Sequence, residues 1–183
     1  MYRLIAALAL ALLTGCGGGV YRDRQAPITS IAAFDLTRYG GTWYEVARFP
    51  VLFQRGCTDV TARYTPLPEG GVEVVNTCRR DGEIRQVRGD AVVTGPGRLG
   101  VRFSGVPIGR APYWVLWVDE GYRTAVVGVP SGRAGWILNR SPEIPEDRLN
   151  AALQVLEFNG YDVSQLARTP HGVQPVSRTL SSM

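Results

Sequence analysis

Few residues in this chain have chemistry to offer. They are three cysteines (Cys16, Cys57 and Cys78), one histidine (His171), and a carboxylate, Glu45, set among bulky residues in the stretch YGGTWYEVARF, Tyr39 to Phe49. A thiolate is a nucleophile or a metal ligand, and imidazole moves protons near neutral pH. A carboxylate on an apolar face needs a cationic partner or a raised pKa. No spacing of His, Cys, Asp and Glu forms a metal-ligand cluster, and none points to a bound cofactor. His171 stands in the C-terminal tail, so a histidine-dependent triad is not indicated. What remains is sulfur chemistry: a Cys57 nucleophile, a disulfide, or a modified cysteine.

The positions of the cysteines separate these. Arg3 is followed by ten apolar residues, Leu4 to Leu13, too few to span a bilayer. Residues 1–15 therefore read as a targeting signal rather than as part of the fold. The run ends in LTGC, Leu13 to Cys16. It resembles the lipobox of bacterial lipoproteins, and the resemblance implies cleavage before Cys16 and acylation of that residue. Gly17 in place of Asp favours the outer membrane, by analogy with enteric sorting. One acyl chain anchors weakly, and two or more hold stably. Residues 16–30 then read as a lipidated, flexible tether. Export places the rest of the chain in an oxidising compartment, and removing Cys16 leaves an even count. The expectation is a Cys57–Cys78 disulfide between neighbouring strands; a reactive free thiol is the alternative. Strand alternation puts the two residues on opposite faces if the intervening hairpin turns at Pro68 to Gly71, so a bulge near Cys57 is required.

The elements that must position these residues are strands. The chain has 183 residues with 22 Gly and 12 Pro, many short apolar runs and one good helix pattern, which argues for an all-β barrel or sandwich. Every basic residue is Arg, and they are scattered; a net charge of +4 without a basic stripe speaks against nucleic acid. Gly40 and Gly41 lead into a first strand of about residues 42–49. Simple alternation puts Trp43, Glu45, Ala47 and Phe49 on one face and Tyr44, Val46 and Arg48 on the other. Further strands are expected at about 58–65, 72–79, 84–94, 99–104, 113–118, 122–129 and 135–140, with turn signals at meander spacing. Asp35 to Tyr39 reads as a short helical turn. Pro145 to Asn159 is the clear helix, with Glu146 and Asp147 at its start, Gly160 as its stop, and Leu149, Ala152, Leu153 and Leu156 as one stripe. The last strand ends in WILNR; Arg140 stacked on the Trp43 indole would pin first strand to last and close the sheet.

Three motifs now stand together: Gly41 to Trp43, Asp119 to Tyr122 between strands six and seven, and Arg140 before the helix. With GTWYEVARF, VTARY, GGVEVVN, APYW, EGYRTAVV and WILNRSP they resemble the lipocalin family over about residues 32–167, nearest its bacterial lipoprotein, apolipoprotein D and plant temperature-induced branches. The second motif departs from the family pattern, with Val118-Asp119-Glu120 where many members have Thr-Asp-Tyr, and this puts the local turn in doubt. The resemblance implies an eight-stranded antiparallel up-and-down β-barrel, closed at the Trp43 end, with the C-terminal helix packed outside. It places the domain at 31–168, leaving 169–183 as a flexible tail. It also implies a small hydrophobic ligand. Positions that match the pocket of apolipoprotein D-like members are Tyr64, Asn76, Phe103, Tyr113 and Trp136. Alternation from Tyr113 adds Val115 and Trp117, alternation from Trp136 adds Leu138, and Glu45 is the polar exception on the inner face.

The function expected is a non-enzymatic, outer-membrane-anchored carrier or store of fatty acids, lysophospholipids or similar amphiphiles. Membrane contact runs through lipidated Cys16, and a homodimer is left open. Two alternatives stand beside it: a lipocalin-fold enzyme acting on a lipid-like substrate, and a structural envelope lipoprotein with a filled barrel. Val51, Leu52, Phe53, Val106 and Ile108 make two mouth loops unusually apolar, suited to a membrane or an amphipathic guest.

Overall fold

The computed structural model describes residues 19–107 and 109–172. Eight strands follow the turn signals: β1 (Gly41–Arg48), β2 (Thr58–Pro66), β3 (Val72–Arg80), β4 (Glu83–Gly95), β5 (Arg98–Phe103), β6 (Ala111–Val118), β7 (Thr124–Gly128) and β8 (Gly135–Asn139). Each pairs with the next, and β1 pairs with both β2 and β8, all antiparallel. The sheet is thus a closed eight-stranded barrel, and its eight strands leave no continuous free edge. A two-residue strand absent from the sequence reading, β9 (Ala167–Arg168), adds to β1 at Ala47 and Arg48.

The apolar side chains sort into two bodies. One fills the barrel and includes Trp43, Tyr64, Val72, Val74, Leu99, Val101, Val115, Val127 and Leu138. The other lies between the outer wall and the long helix, and includes Val46, Phe49, Leu116, Val126, Ile137, Ala152 and Leu156. The short helix α1 (Leu36–Tyr39) crosses the end of the barrel from which β1 starts, with Asp35 as its cap. The long helix α2 (Glu146–Phe158) begins after Pro145 and carries the expected stripe, with Ala152 and Leu156 fully enclosed.

Of the four register shifts in the barrel, three override simple alternation near the interior. One between Glu45 and Ala47 turns Ala47 and Phe49 to the outer body, while Arg48 follows Glu45 inward and lies opposite Trp136. A second, between Thr58 and Thr61, carries Asp59 at φ 50 and repairs the face of Cys57. Cys57 and Cys78 are disulfide-bonded, with Cα atoms 5.5 Å apart. A third, between Val115 and Trp117, turns Trp117 outward to the helix side and brings Val118 into the barrel. A hydrophobic tally cannot foresee these, because a bulge changes which residues share a face without changing their types.

The disulfide joins residues 21 apart in sequence, so a Cys57→Ser/Cys78→Ser variant is expected to lose about 3 kcal/mol of stability in a urea titration, by loop closure in the unfolded chain.

Where the structure describes the expected tether and tail, several of their residues lie against the barrel. Tyr21 stacks on Phe49, which stacks on Tyr161, with ring centroids 5.1 Å apart in both pairs. Arg22 is buried and donates to the carbonyls of Asn159 and Ala26. Residues 20–30 therefore belong to the folded body, because an aromatic ring and a five-donor guanidinium both find partners there. At the other end, Thr169 is buried and its amide donates to the Val46 carbonyl, while the Asp59 amide donates to the Pro170 carbonyl. Residues 167–172 fill the gap where β1 and β2 part. Cys16 and residues 173–183 lie outside the described residues.

The doubtful turn is also settled. Strand seven starts at Thr124, not Tyr122, because the Asp119 carboxylate accepts the amides of Arg123 at 2.5 Å and Thr124 at 2.7 Å and folds the chain back, with Tyr122 at φ 53. Burial alone pushes this carboxyl up; the Thr124 amide and the Arg123 guanidinium and amide outweigh it and hold the pKa below the ordinary carboxylate value. A depressed folded value gives stability that is present above about pH 4 and lost as the pH falls through it. Asp119→Asn should thus narrow the stability difference between pH 6 and pH 3 in denaturant titrations.

Candidate functional site: a cup inside the barrel

The floor is built around Trp43. Its side chain has no exposed surface, and its Nε1 donates to the Tyr39 carbonyl at 2.7 Å. The Arg140 guanidinium lies 3.8 Å from the indole centroid. The same group donates to the carbonyls of Thr42, Tyr122, Arg38 and Tyr39, which ties β1, α1 and the β6–β7 turn together. Gly41, at φ +90, turns the chain into β1, and a Cβ added there would sit 3.4 Å from the Arg140 guanidinium. A side chain at that φ would be strained.

Exposure along the inner wall rises with distance from this floor. Trp43, Val72, Leu99 and Val115 are closed to solvent. One or two residues further along the inward alternation, Ala62, Asn76, Phe103, Tyr113 and Trp136 are half-buried and Val87 is exposed. The closed floor and open upper wall make a cup whose mouth lies between the loops at 49–57, 81–82, 104–107, 109–110 and 129–134. Gly89 faces inward opposite Phe103, and a Cβ there would collide with the Arg102 carbonyl oxygen and sit 2.9 Å from the Phe103 ring. The missing side chain lets the phenyl ring lie against the sheet.

Polar groups in the cup form two sets. Near the floor, the hydroxyl of Tyr113 meets those of Tyr39 at 2.7 Å and Tyr64 at 2.8 Å. Burial pushes all three phenol pKa values up, those of Tyr39 and Tyr113 well above the ordinary value, so the three are neutral donors. Higher up, Glu45 pairs with Arg48 at 2.6 Å and accepts from Gln54 at 2.7 Å and Thr169 at 2.7 Å. Gln54 in turn accepts from Trp136 Nε1 at 3.0 Å. Glu45 is therefore paired with the arginine three residues on rather than with a residue of another strand. Asn76 Oδ1 is buried and has no partner among the described residues.

The residues expected from the sequence divide accordingly. Tyr64, Asn76, Phe103, Tyr113, Trp136 and Glu45 share the interior. Trp117 does not; the bulge in β6 puts it against α2. Tyr39, Arg48, Gln54 and Thr169 were missed. Only Tyr39, directly before the glycine pair, carried a local signal; the other three are brought in by a bulge, a loop and the C-terminal strap. His171 lies at that strap, with Nε2 2.8 Å from the Glu45 carbonyl and its ring edge-on to Tyr44. Cys57 has its sulfur in the disulfide and is not a free thiol in this structure. At the mouth, Leu52 and Phe53 are 73% and 68% exposed, joined by Ile84 at 68% from the β3–β4 hairpin. Ile108 lies outside the described residues.

Comparison with known proteins gives the same architecture. The family model for the lipocalin-like domain matches residues 34–171. Outer membrane lipoprotein Blc of Escherichia coli K12 is 38% identical over 163 residues, covering 87% of this chain and 90% of that protein. Temperature-induced lipocalin-1 of Arabidopsis thaliana is 32% identical over 155 residues, covering 79% and 83%. Bovine apolipoprotein D is 34% identical over 146 residues, covering 74% and 76%. Among solved structures, insecticyanin from the tobacco hornworm superposes with a TM-score of 0.64 at 19% identity, covering 79% of this chain and 85% of its own, which speaks to the fold alone.

Proposed function

The chain belongs to the lipocalin family, and from that premise we propose that it is a membrane-anchored carrier or store of a small amphiphile, of the fatty acid or lysophospholipid class, held in the cup. The observation that supports this most is the rise in exposure along the inner wall, from enclosed Trp43 and Leu99 to half-buried Phe103, Tyr113 and Trp136 and exposed Val87. Each methylene moved from water into such a site contributes about 0.8 kcal/mol, so ten contribute roughly 8 kcal/mol before the costs of association and chain ordering. Micromolar binding with weak discrimination between chain lengths follows.

The anchor belongs to the same proposal. A signal over residues 1–15, acylation of Cys16 and an outer-membrane address follow from LTGC and agree with the name of the Escherichia coli relative. The lipocalin domain then extends from the N-terminal segment at Tyr21, which docks on the barrel, to the strap at Gly172.

The experiment is extraction of the purified mature protein with organic solvent, mass spectrometry of what co-purifies, and titration of the delipidated protein with palmitate and with lysophosphatidylcholine, followed by tryptophan fluorescence. A bound amphiphile, or saturable quenching at micromolar concentration, is expected. No co-purifying lipid and no quenching by either probe would leave the filled-barrel alternative in possession. A second measurement addresses loading. Leu52 and Phe53 at the mouth suit shallow insertion into a bilayer, and changing both to Ser is expected to slow lipid uptake from vesicles roughly threefold or more by removing apolar contact area. An unchanged rate removes the mouth loops from the loading step.

A further inference from the structure

The three hydroxyls near the floor of the cup carry one proton more than they can share. Tyr113 Oη is within hydrogen-bonding distance of Tyr39 Oη and Tyr64 Oη, and among the described residues no other polar partner reaches any of the three oxygens. Three phenols bring three donor protons, and two contacts use two of them. Tyr39 is 0% and Tyr64 4% exposed, whereas Tyr113 as a residue is half-buried. If Tyr113 donated to Tyr39, the Tyr39 proton would be sealed in without an acceptor, which carries the full desolvation cost of that group. The favourable arrangement has Tyr39 and Tyr64 both donating to Tyr113. That fills its two lone pairs and leaves its own O–H without a partner in the triad.

Resting on the reading of the cup as a binding site, we propose that Tyr113 Oη donates a hydrogen bond to the inner end of the guest, so that the cup favours amphiphiles whose buried end carries a neutral acceptor oxygen (ketone, ester, ether or hydroxyl) over those ending in a plain methyl. A methyl terminus strips water from Tyr113 and leaves the O–H bare; an acceptor oxygen replaces that water. A carboxylate is disfavoured at this depth. It would meet one O–H among Leu99, Val101, Val115 and Val127, and the cation of the upper cup, Arg48, is already paired with Glu45.

The proposal concerns a ratio, and a matched pair of acids reads it. Tridecanoic acid and 12-oxotridecanoic acid have the same carbon count and the same carboxylate for the mouth; they differ only in a ketone beside the terminal methyl. The mature protein and two variants are titrated with both. Tyr113→Phe is expected to shift the ratio of the two Kd values about tenfold against the oxo acid, the size of one hydrogen bond to a buried acceptor. Tyr39→Phe is expected to leave the ratio unchanged. Removing an outer member of the triad deletes one proton and one contact together, so Tyr113 still has its O–H to give. Circular dichroism checks that both variants fold. If Tyr113→Phe does not, the infrared stretch of the carbon-13-labelled ketone bound to the wild-type protein decides: a red shift from its position in alkane supports the donor, and an alkane-like frequency overturns it. Equal ratios in wild type and Tyr113→Phe, or an equal shift in Tyr39→Phe, also overturn the proposal. Failure of both acids to bind the wild-type protein overturns the cup reading itself.

Discussion

Trp43→Ala is expected to lower the unfolding free energy by about 3–5 kcal/mol, the range for deleting a large aromatic from a core that cannot collapse around the gap. Three features place it in the upper part of that range. The indole is wholly enclosed, its N–H is used on the Tyr39 carbonyl, and the Arg140 guanidinium rests on its face. Losing the ring leaves that carbonyl with only a 3.2 Å contact from Arg140, and it strips the guanidinium of a stacked surface worth about 1 kcal/mol. Arg140→Lys is the companion test. A lysine keeps the charge and cannot span the four carbonyls now served by one planar fork, so it should recover little of what Arg140→Ala loses. Urea midpoints at constant m-value measure both changes, and a Trp43→Ala loss under about 1 kcal/mol would remove the floor from its place as the closure of the barrel.

Glu45→Ala should cost about 3 kcal/mol or more, through the charge left behind rather than the contact removed. Arg48 would then stand in the upper cup with 13% of its side chain exposed and only Thr169 and the carbonyls of Gln54 and Cys57 for company. Replacing both partners tells a different story. The double variant Glu45→Leu/Arg48→Met removes two desolvated charges together and fills similar volume, so it is expected to lie within about 1 kcal/mol of the wild type. The double-mutant cycle in urea gives the coupling directly. Additive losses would show that each side chain acts by packing alone. The pair also bears on binding: a neutralised pair in the upper cup gives an anionic headgroup no free cation there, in keeping with a guest held mainly by its apolar chain.

Part of the site was legible in the chain, and the misplaced faces have one physical origin. Tyr64, Asn76, Phe103, Tyr113 and Trp136 were named through the family resemblance, and in the structure each lies on an uninterrupted stretch of ladder facing the interior. Trp117 was added by alternation from Tyr113 and misplaced, because the bulge after Val115 intervenes. Phe49 and Arg48 exchanged faces for the same reason in β1. In the one case where chemistry demanded a bulge, at Cys57, the sequence anticipated it, since two half-cystines cannot bond through a sheet.

Residue types at fixed local spacing (turn glycines, alternating apolar residues, a capped amphipathic stripe) were enough for an all-β class, the pinning of first strand to last and the outer helix, and the cysteine count with an exported compartment was enough for the disulfide pair. What the cup presents to a guest emerges from contacts between distant segments. The Tyr39–Tyr113–Tyr64 cluster and the Glu45–Arg48–Gln54–Thr169 network join α1, four strands or loops and the C-terminal strap. The partners in such networks are set by where a barrel's curvature and bulges bring distant side chains, and no period along one strand encodes that meeting.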